Sequence, residues 1–336
     1  MANIKDVAEK AGVSVATVSN VMSGKRRVRA ETAERVMKAV HDLNYSQSSA
    51  ARDLALGRSR IVGFVISDIQ NPFFHEIIKG FQDQALANQM DTLVMNTNYD
   101  PHRILTFVHR LLGLRVPGVA LMTSEIDPAV KAMLVENQIC AVSLDHGHVG
   151  AYTSNIVIDY AQGITEAVAH LRELGHVDIG FIGGAPELKS AQTRKRAFLE
   201  SLPESSTQNV VDADFSVRGG YFACSRLLSR QPPTAIIAAN DLMAIGALHC
   251  AHDRGLAVPS DLSIVGFDDI AFAEVTWPPL TTVAVPRRRI GEVAFQALSE
   301  MMRDEQGKEF PLETHLIIRE STGPNHRPDK AEETDH

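Results

Sequence analysis

The sequence predicts an α/β protein in which a small helical module precedes two lobes built on parallel sheets. Two observations indicate this arrangement. Residues 3–45 show helical periodicity punctuated by capping residues, whereas from residue 61 onward short apolar runs rich in Val and Ile alternate with helix-length segments. That alternation is typical of parallel sheets with helices on both faces, and the runs are too many for one compact sheet.

The segment Asn3 to Ser23 predicts two short helices joined by a turn. The first begins at the candidate N-cap Asn3 and ends at Gly12, and the second begins after the candidate cap Ser14. The apolar positions are Ile4, Val7, Ala8 and Ala11 in the first helix and Val15, Val18, Val21 and Met22 in the second. This pattern is a helix-turn-helix, whose second helix enters the major groove of DNA.

The outward side of the second predicted helix suits contact with bases. It carries small residues that allow close approach and one amide that can read a base edge, namely Ala16, Thr17, Ser19 and Asn20. The basic turn 24–27 suits phosphates. A third helix, from about Ala30 to Leu43, has an apolar face that would cover the first two. The alternative is an ordinary small helical bundle, in which capped amphipathic helices are common.

Charge is distributed unevenly along the chain. Residues 1–60 contain 11 Lys and Arg against 6 Asp and Glu, a net charge of +5, while the remaining residues carry −13. A basic module on an acidic body indicates that only the N-terminal part meets a polyanion, although ordinary surface variation can also produce such a difference.

The connector 46–60 is polar and rich in small residues. It can hold one or two helical turns, Ser49 to Ala55, which are too short to persist alone in water. We therefore expect the state of this segment to depend on what it contacts.

Seven apolar runs beyond residue 60 predict strands. They are 61–66, 92–96, 119–122, 141–144, 179–182, 235–238 and 264–267. Ligands of open parallel sheets bind beyond the carboxyl ends of the strands. The polar and aromatic residues that follow the runs include Asp68, Asn71, Pro72, Phe73, Phe74, Asp145, Asn240, Asp241, Asp268 and Asp269. They suit a small polyhydroxylated or heteroaromatic ligand, although any single one of the polar residues could instead be a helix N-cap.

No motif for nucleotide or hydrolytic chemistry is present. The sequence lacks GxGxxG after a strand, GxxxxGK[ST] and GxSxG. His146 and His148 form an HxH pattern without a third ligand nearby in sequence, and the three cysteines have no metal-ligand spacing. We expect no cofactor and no metal. With neither a signal peptide nor an apolar run of about 18 residues, a cytoplasmic protein without membrane contact is expected.

The order of motifs resembles the LacI/GalR family of bacterial transcription regulators. The similarity begins with NIKDVAEKAGVSVATVSNVMSG and continues through LNY, SAARDLALGRS and IVGFVISDIQNPFF. Later matches are LRELGHVDIGFIGG (171–184), R-x-x-A-F (194–198), AANDLMAIGAL (238–248), GLAVPSDLSIVGFDDI (255–270) and PPLTTV (278–283). The resemblance implies a helix-turn-helix headpiece (1–46), a hinge helix within 47–60, and a two-lobed core like that of periplasmic sugar-binding proteins (61–325), with three chain crossings between lobes. Composition predicts a disordered tail, 326–336.

For DNA, the resemblance implies a dimer on a near-palindromic, double-stranded operator, with paired hinge helices in the minor groove. Leu54 matches the leucine that family members wedge between base pairs, and Arg52 can reach phosphates or the narrow groove. The other predicted DNA-binding residues are Val15, Ala16, Thr17, Asn20, Lys25 and Arg26. Arg29 stands where relatives usually have a capping serine.

For a small-molecule effector, the resemblance implies a site between the lobes. The matching residues are Phe73, Phe74, Asp145, Ser190, Arg194, Phe215, Asn240, Asp268 and Trp277. Stacking is assigned to Phe74, Phe215 and Trp277, and hydrogen bonding to the charged and amide side chains. Leu188 falls where the purine-responsive member has an arginine, which argues against a purine and leaves a sugar, a sugar acid or a phosphorylated metabolite.

The expected function is therefore a homodimeric, ligand-responsive transcriptional repressor without enzymatic activity. Two alternatives stay open at this point. A binding protein for transport would share the two lobes but would need export, and a cytosolic α/β enzyme would need the phosphate-binding loops that the sequence lacks.

Overall fold

The structure is a computed structural model that describes residues 2–23, 26–45, 59–123, 126–145, 148–203, 209–229 and 232–326. The chain divides into two compact units, residues 1–60 and 61–336. The hinge segment Ser49 to Ala55, the predicted disordered tail beyond residue 326, and His146 lie outside the described residues.

Among its described residues, the first unit contains three helices, α1 (Ile4–Ala11), α2 (Val15–Ser23) and α3 (Ala30–Asp42). Helix α1 begins with a capping box. The Asn3 side chain accepts hydrogen bonds from the backbone N–H groups of Lys5 and Asp6, and the Asp6 carboxylate accepts one from the Asn3 N–H at 2.8 Å. Gly12 ends the helix in the left-handed region, with φ 65°.

One valine from each helix forms the centre of this unit. Val7, Val18 and Val36 are fully buried, and Ala8, Ala11 and Ala39 pack around them. Val15 was predicted on the apolar face of α2, but it is 40% exposed. Helix α3 starts after Arg29, whose side chain makes no capping hydrogen bond. The three-helix module is confirmed, with one position of α2 turned outward.

The second unit contains eight further helices and twelve strands among its described residues. The helices are α4 (Phe73–Ala87), α5 (Pro101–Gly113), α6 (Pro128–Glu136), α7 (Tyr160–Glu173), α8 (Lys189–Ser201), α9 (Val217–Leu228), α10 (Asp241–Asp253) and α11 (Arg287–Asp304). The strands are β1 (Ile61–Ile66), β2 (Asp91–Asn96), β3 (Gly118–Met122), β4 (Cys140–Leu144), β5 (Thr153–Ile158), β6 (Ile179–Gly183), β7 (Asn209–Asp212), β8 (Ala235–Ala238), β9 (Ser263–Asp268), β10 (Thr281–Ala284), β11 (Glu309–Leu312) and β12 (His315–Ile317).

Two six-stranded sheets form two lobes, as the sequence predicts. The first lobe has the strand order β2-β1-β3-β4-β5-β11, and the second has the order β7-β6-β8-β9-β10-β12. The described ladders are parallel except for the pairing of β12 with β10. All seven predicted runs are strands of these sheets.

The chain passes between the lobes three times. The crossings join β5 to α7, β10 to α11, and β11 to β12. The predicted number of crossings is therefore confirmed. Because each crossing lies next to a strand end, the carboxyl ends of strands from both sheets face a common cleft.

Apolar side chains fill the interior of both lobes. Phe81 packs on both Phe64 and Phe295 in the first lobe, while Phe181 and Phe198 stack in the second at 4.8 Å between ring centroids. Cysteines 140, 224 and 250 are buried free thiols. Within the described part of the chain, no helix combines the length and apolarity needed to span a bilayer.

Candidate functional site

A cleft that is partly open to solvent lies between the two lobes. Eight of the nine predicted effector residues line it. The first lobe supplies Phe73, Phe74 and Asp145, and the second supplies Ser190, Arg194, Phe215, Asn240 and Asp268. The structure thus brings together residues that are almost 200 positions apart in the chain, because strand and helix ends of both sheets meet at this cleft.

Trp277 is the exception, and its expected place in the cleft is not supported. Its side chain is 91% exposed, and it is absent from the cleft lining. It follows the short 3₁₀-helix Ala271–Glu274, which separates it from the cleft residue Asp268. An indole on the open surface cannot stack on a ligand held between the lobes.

Arg194 and Asp268 form the buried ion pair of the cleft. The Arg194 Nη2 lies 3.4 Å from the Asp268 Oδ1, and both side chains are almost fully buried. The guanidinium lies over the adjacent rings of Tyr160 and Phe267, with its carbon 4.6 and 4.4 Å from their centroids, and Nη1 donates to the Ala239 carbonyl. These contacts hold the guanidinium plane in one orientation.

The backbone of Asp268 is strained. Its φ is 109°, a region that L-residues rarely adopt, and Asp269 follows with φ 54°. Burial raises the pKa of the Asp268 carboxyl to about 6, against the opposing attraction of the Arg194 and Arg287 guanidiniums. The Asp269 carboxylate pairs with Arg319 at 2.8 Å, so the two adjacent carboxyl groups have different partners.

Asp145 follows strand β4 with φ 59° and is held by two donors. Its Oδ2 accepts from the Tyr160 hydroxyl at 2.6 Å, and its Oδ1 accepts from the Ile158 N–H at 3.0 Å. Burial raises the pKa of the Asp145 carboxyl, and these hydrogen bonds oppose the shift. Asp145 is therefore fixed at the first crossing between the lobes.

Asn240 does act as a helix N-cap, the alternative role that the sequence leaves open. Its Oδ1 accepts from the Met243 N–H at 2.9 Å at the start of α10, and its Nδ2 donates to the Phe215 carbonyl at 3.1 Å. Asn240 thereby orders Phe215, which has φ 63°. The Phe215 ring lies so close to Gly184 that a Cβ at that glycine would overlap it.

Sequence reasoning missed several residues of the cleft. Ser67 and Thr123 directly follow strands β1 and β3, so the strand-end signal could have found them. Tyr160 and Lys189 are the first residues of helices α7 and α8, so no apolar run directly before them marks them in the sequence. The Lys189 Nζ donates to the Asp145 carbonyl at 2.9 Å and so connects the second lobe to the first. The other unexpected lining residues are Tyr99, Met122 and Leu144.

Asp241, also flagged at a strand end, does not line the cleft. It is fully buried, and its carboxylate accepts from the Thr282 hydroxyl at 2.5 Å and from the Ile270 N–H at 2.7 Å. Burial and the neighbouring Asp268 raise its pKa well above the ordinary value. Its role in the fold is to join α10 to strand β10 and to the turn after β9.

The first unit presents the start of α2 to solvent. The Ser14 hydroxyl caps the helix by accepting from the Thr17 N–H at 3.1 Å. Val15 and Ala16 are exposed, while Thr17 and Asn20 are half-buried. Arg26 is exposed. The predicted contacts Lys25, Arg52 and Leu54 lie outside the described residues.

The described residues contain no group of three or more His, Cys, Asp or Glu side chains placed to hold a metal ion. The cleft holds the two carboxyls Asp145 and Asp268 and the two cations Lys189 and Arg194, together with aromatic rings. This arrangement can hydrogen-bond and stack on a small polar molecule.

Two family models match the chain. Residues 3–48 match the bacterial regulatory proteins of the lacI family, and residues 168–322 match a periplasmic binding protein-like domain. Among similar curated proteins, the HTH-type transcriptional repressor PurR of Pectobacterium carotovorum is 34% identical over 330 residues, which cover 96% of this chain and 97% of that protein. The PurR of Mannheimia succiniciproducens is 33% identical over 96% of this chain and 98% of its own.

Solved structures share the fold over 79–96% of this chain. A lac repressor dimer bound to operator and the anti-inducer ONPF has a TM-score of 0.86 and 27% identity, covering 96% of this chain and 99% of that chain. The transcriptional regulator CelR in complex with cellobiose has a TM-score of 0.71 and 28% identity, covering 96% and 100%. A ribose-bound regulator from Enterococcus faecium has a TM-score of 0.71 and 25% identity, covering 79% and 99%.

Proposed function

The chain belongs to the LacI/GalR family of bacterial transcriptional regulators and is a ligand-responsive, DNA-binding repressor; on that premise we propose which of its residues carry each part of the activity. The main observation behind this proposal is that one chain combines two features. One is a helix-turn-helix exposed at the start of α2, and the other is a polar and aromatic cleft between two lobes.

Operator recognition is assigned to the start of α2. Val15 and Ala16 are exposed there, and small apolar residues can approach the methyl groups of thymines in the major groove. Asn20 supplies an amide one turn further along, and Thr17 the intervening hydroxyl. The phosphate contacts are assigned to Lys25 and Arg26, and the minor groove to the hinge residues Arg52 and Leu54.

Effector binding is assigned to the cleft. Arg194, Asp268, Asp145, Ser190 and Asn240 offer hydrogen bonds to a sugar, a sugar acid or a phosphorylated metabolite, and Phe73, Phe74 and Phe215 offer apolar faces. A ligand that contacts both lobes favours one angle between them. This angle sets the spacing of the two hinges in a dimer and hence the fraction of molecules able to bind operator.

The exposed segment around Trp277 is assigned to the dimer instead of the effector. Phe272, Val275 and Trp277 lie within six residues and are 53%, 76% and 91% exposed. Exposed aromatic residues grouped in this way are typical of protein–protein contacts. Trp277→Ala should therefore shift the protein from dimer to monomer in sedimentation experiments.

The remaining assignments follow from operator binding. The protein acts in the cytoplasm, where the chromosome is, and has no catalytic activity. Residues 1–46 are the headpiece, 47–60 the hinge, and 61–325 the effector-binding and dimerisation core.

Operator selection from a random duplex library tests the proposal. We expect the full-length protein to enrich a near-palindromic site and to bind it at least about a thousandfold more tightly than random DNA at the same salt concentration. Asn20→Ala should relax the preference at one base pair of each half-site, whereas Met37→Ala, on the exposed side of α3, should leave the preference unchanged. Equal affinity for selected and random DNA would refute the function.

A further inference from the structure

The start of helix α8 forms one wall of the cleft and favours negative charge. The helix has 13 residues and begins at Lys189 without a side-chain cap from Leu188. The first amide groups of a helix have no partner within the helix, and the aligned peptide dipoles place partial positive charge there. Lys189 and Ser190, the first two residues of α8, both line the cleft.

A buried donor one turn further along the same helix lacks a partner. Arg194 is 5% exposed and lines the cleft, and its Nε makes no hydrogen bond to any described residue. Its other two nitrogens are used by the Ala239 carbonyl and by Asp268. Leaving a buried donor unsatisfied is costly, so the geometry favours a ligand with an acceptor at this position.

The positive charge that lines the cleft comes from the second lobe, from Lys189 and Arg194. Lys131, on α6 of the first lobe, does not line the cleft, but burial and the charge of Lys189 lower its pKa. Lys189 is therefore the ammonium group that a ligand in the cleft can contact directly.

The carboxylates of the cleft are already engaged elsewhere. Asp145 accepts from Ile158 and Tyr160, and Asp268 is paired with Arg194. Lys189 donates to a backbone carbonyl and forms no ion pair with a described carboxylate. Burial raises the pKa of Asp145 and the charge of Lys189 opposes that shift, so the two groups interact at longer range. Because its Nζ has no ion-pair partner among the described carboxylates, Lys189 can form a direct ion pair with a ligand.

We propose that the effector carries an oxyanion, a carboxylate or a phosphate, which binds at the first turn of α8 between Lys189 and Arg194. This inference rests on the proposed effector role of the cleft and narrows the class of effector: a neutral sugar gives Lys189 no direct ion-pair partner, whereas an acidic or phosphorylated sugar does. The Ser190 hydroxyl and the first amide groups of α8 supply the remaining donors.

Inorganic phosphate is the probe for this subsite. Thermal unfolding of the full-length protein is followed during titration with phosphate, against sodium chloride of equal ionic strength. We expect phosphate to raise the melting temperature in a saturable manner, because a ligand that binds only the folded state stabilises it. Lys189→Met should weaken the apparent phosphate affinity about tenfold or more through loss of a charge-assisted hydrogen bond, and Lys189→Arg should retain most of it.

The matched control is Lys79→Met, which removes an exposed helical lysine of α4 that does not line the cleft. It should leave the phosphate response unchanged and so account for the general stabilising effect of phosphate salts. A Lys189→Met response equal to that of the wild type, or no saturable response in the wild type, overturns the proposal. Acetate in place of phosphate distinguishes the two kinds of effector. Stabilisation by both anions supports an effector that carries a carboxylate, and stabilisation by phosphate alone supports a phosphorylated effector.

Operator binding by the same preparation is measured without any anion titration. If the protein selects an operator but shows no phosphate response that depends on Lys189, the proposed function stands and the oxyanion proposal is refuted. If the protein selects no operator, the proposed function is refuted whatever the response to phosphate.

Discussion

Replacement of Asp268 by asparagine should make the unliganded protein more stable at neutral pH. The pKa of this carboxyl is about 6 in the folded protein, against an ordinary value of 3.8. By linkage, holding the ionised carboxylate in its buried position at pH 7 costs about 3 kcal/mol relative to a neutral group. The attraction of Arg194 is already included in that pKa. An asparagine side chain at this position would have nearly the same shape without the charge.

The direction of the stability change caused by Asp268→Asn can be checked through its pH dependence. Because the folded-state pKa is raised, the folded protein binds the proton more readily than the unfolded chain between about pH 6 and pH 4. The stability difference between Asp268→Asn and wild type should therefore be largest above pH 7 and shrink as the pH falls through 6. Urea unfolding at pH 7.5, 6.5 and 5.5 measures it, with the exposed Asp91→Asn as a control expected within about 0.5 kcal/mol of wild type.

Two results would refute this reasoning. One is a variant less stable than wild type at pH 7.5, which would mean that the ion pair with Arg194 outweighs the desolvation of the carboxylate. The other is a difference that stays constant from pH 7.5 to 5.5. If the stabilisation is found together with intact operator binding and a lost effector response, Asp268 is a group kept for binding at the expense of stability.

Three further outcomes are expected. Asn3→Ala removes the capping box of α1 and should cost about 1 kcal/mol, seen as faster amide exchange in that helix. Gly184→Ala should cost about 1–3 kcal/mol by displacing the Phe215 ring, whereas Gly113→Ala, with open space around it, should cost nothing in urea unfolding. Burial lowers the pKa of His176, so the wild-type protein loses stability as the pH falls through 6.5 and the unfolded chain takes up a proton there. In urea unfolding, His176→Gln should lose less stability than wild type over the same pH range.

The strands that were predicted have more continuous apolar sequence than those that were not. Six of the seven predicted runs are interior strands, of which β3, β6 and β8 are buried along their whole length, and the seventh, β2, lies at an edge. Five strands were missed. Of these, β5 and β10 are interior and buried but begin with polar residues, TSN and TT, which shorten the apolar run. The other three, β7, β11 and β12, lie at sheet edges and are only partly buried. Edge strands need one apolar face at most, and β11 even contains Pro311, which an edge tolerates.

The cleft residues that follow a strand could be predicted from the sequence, whereas those that begin a helix were harder to predict. Asp145 and Asp268 were found because they lie at the carboxyl ends of β4 and β9. Tyr160 became part of the cleft only because the first lobe crossing places it beside Asp145, a contact that no local pattern encodes. Trp277 was expected in the cleft from the resemblance, and the 3₁₀-helix before it leads to the exposed surface instead.

The three crossings also set the order in which the protein can be completed during synthesis. The first lobe lacks its edge strand until β11 has been made, and the second lacks β12 until residue 317. Neither lobe is one continuous stretch of chain, so neither can finish folding before β11 has been made. The headpiece, encoded first, can fold early in translation. A nascent chain thus displays a DNA-reading module for most of its synthesis before the apparatus that regulates it exists, and premature termination yields a headpiece without control.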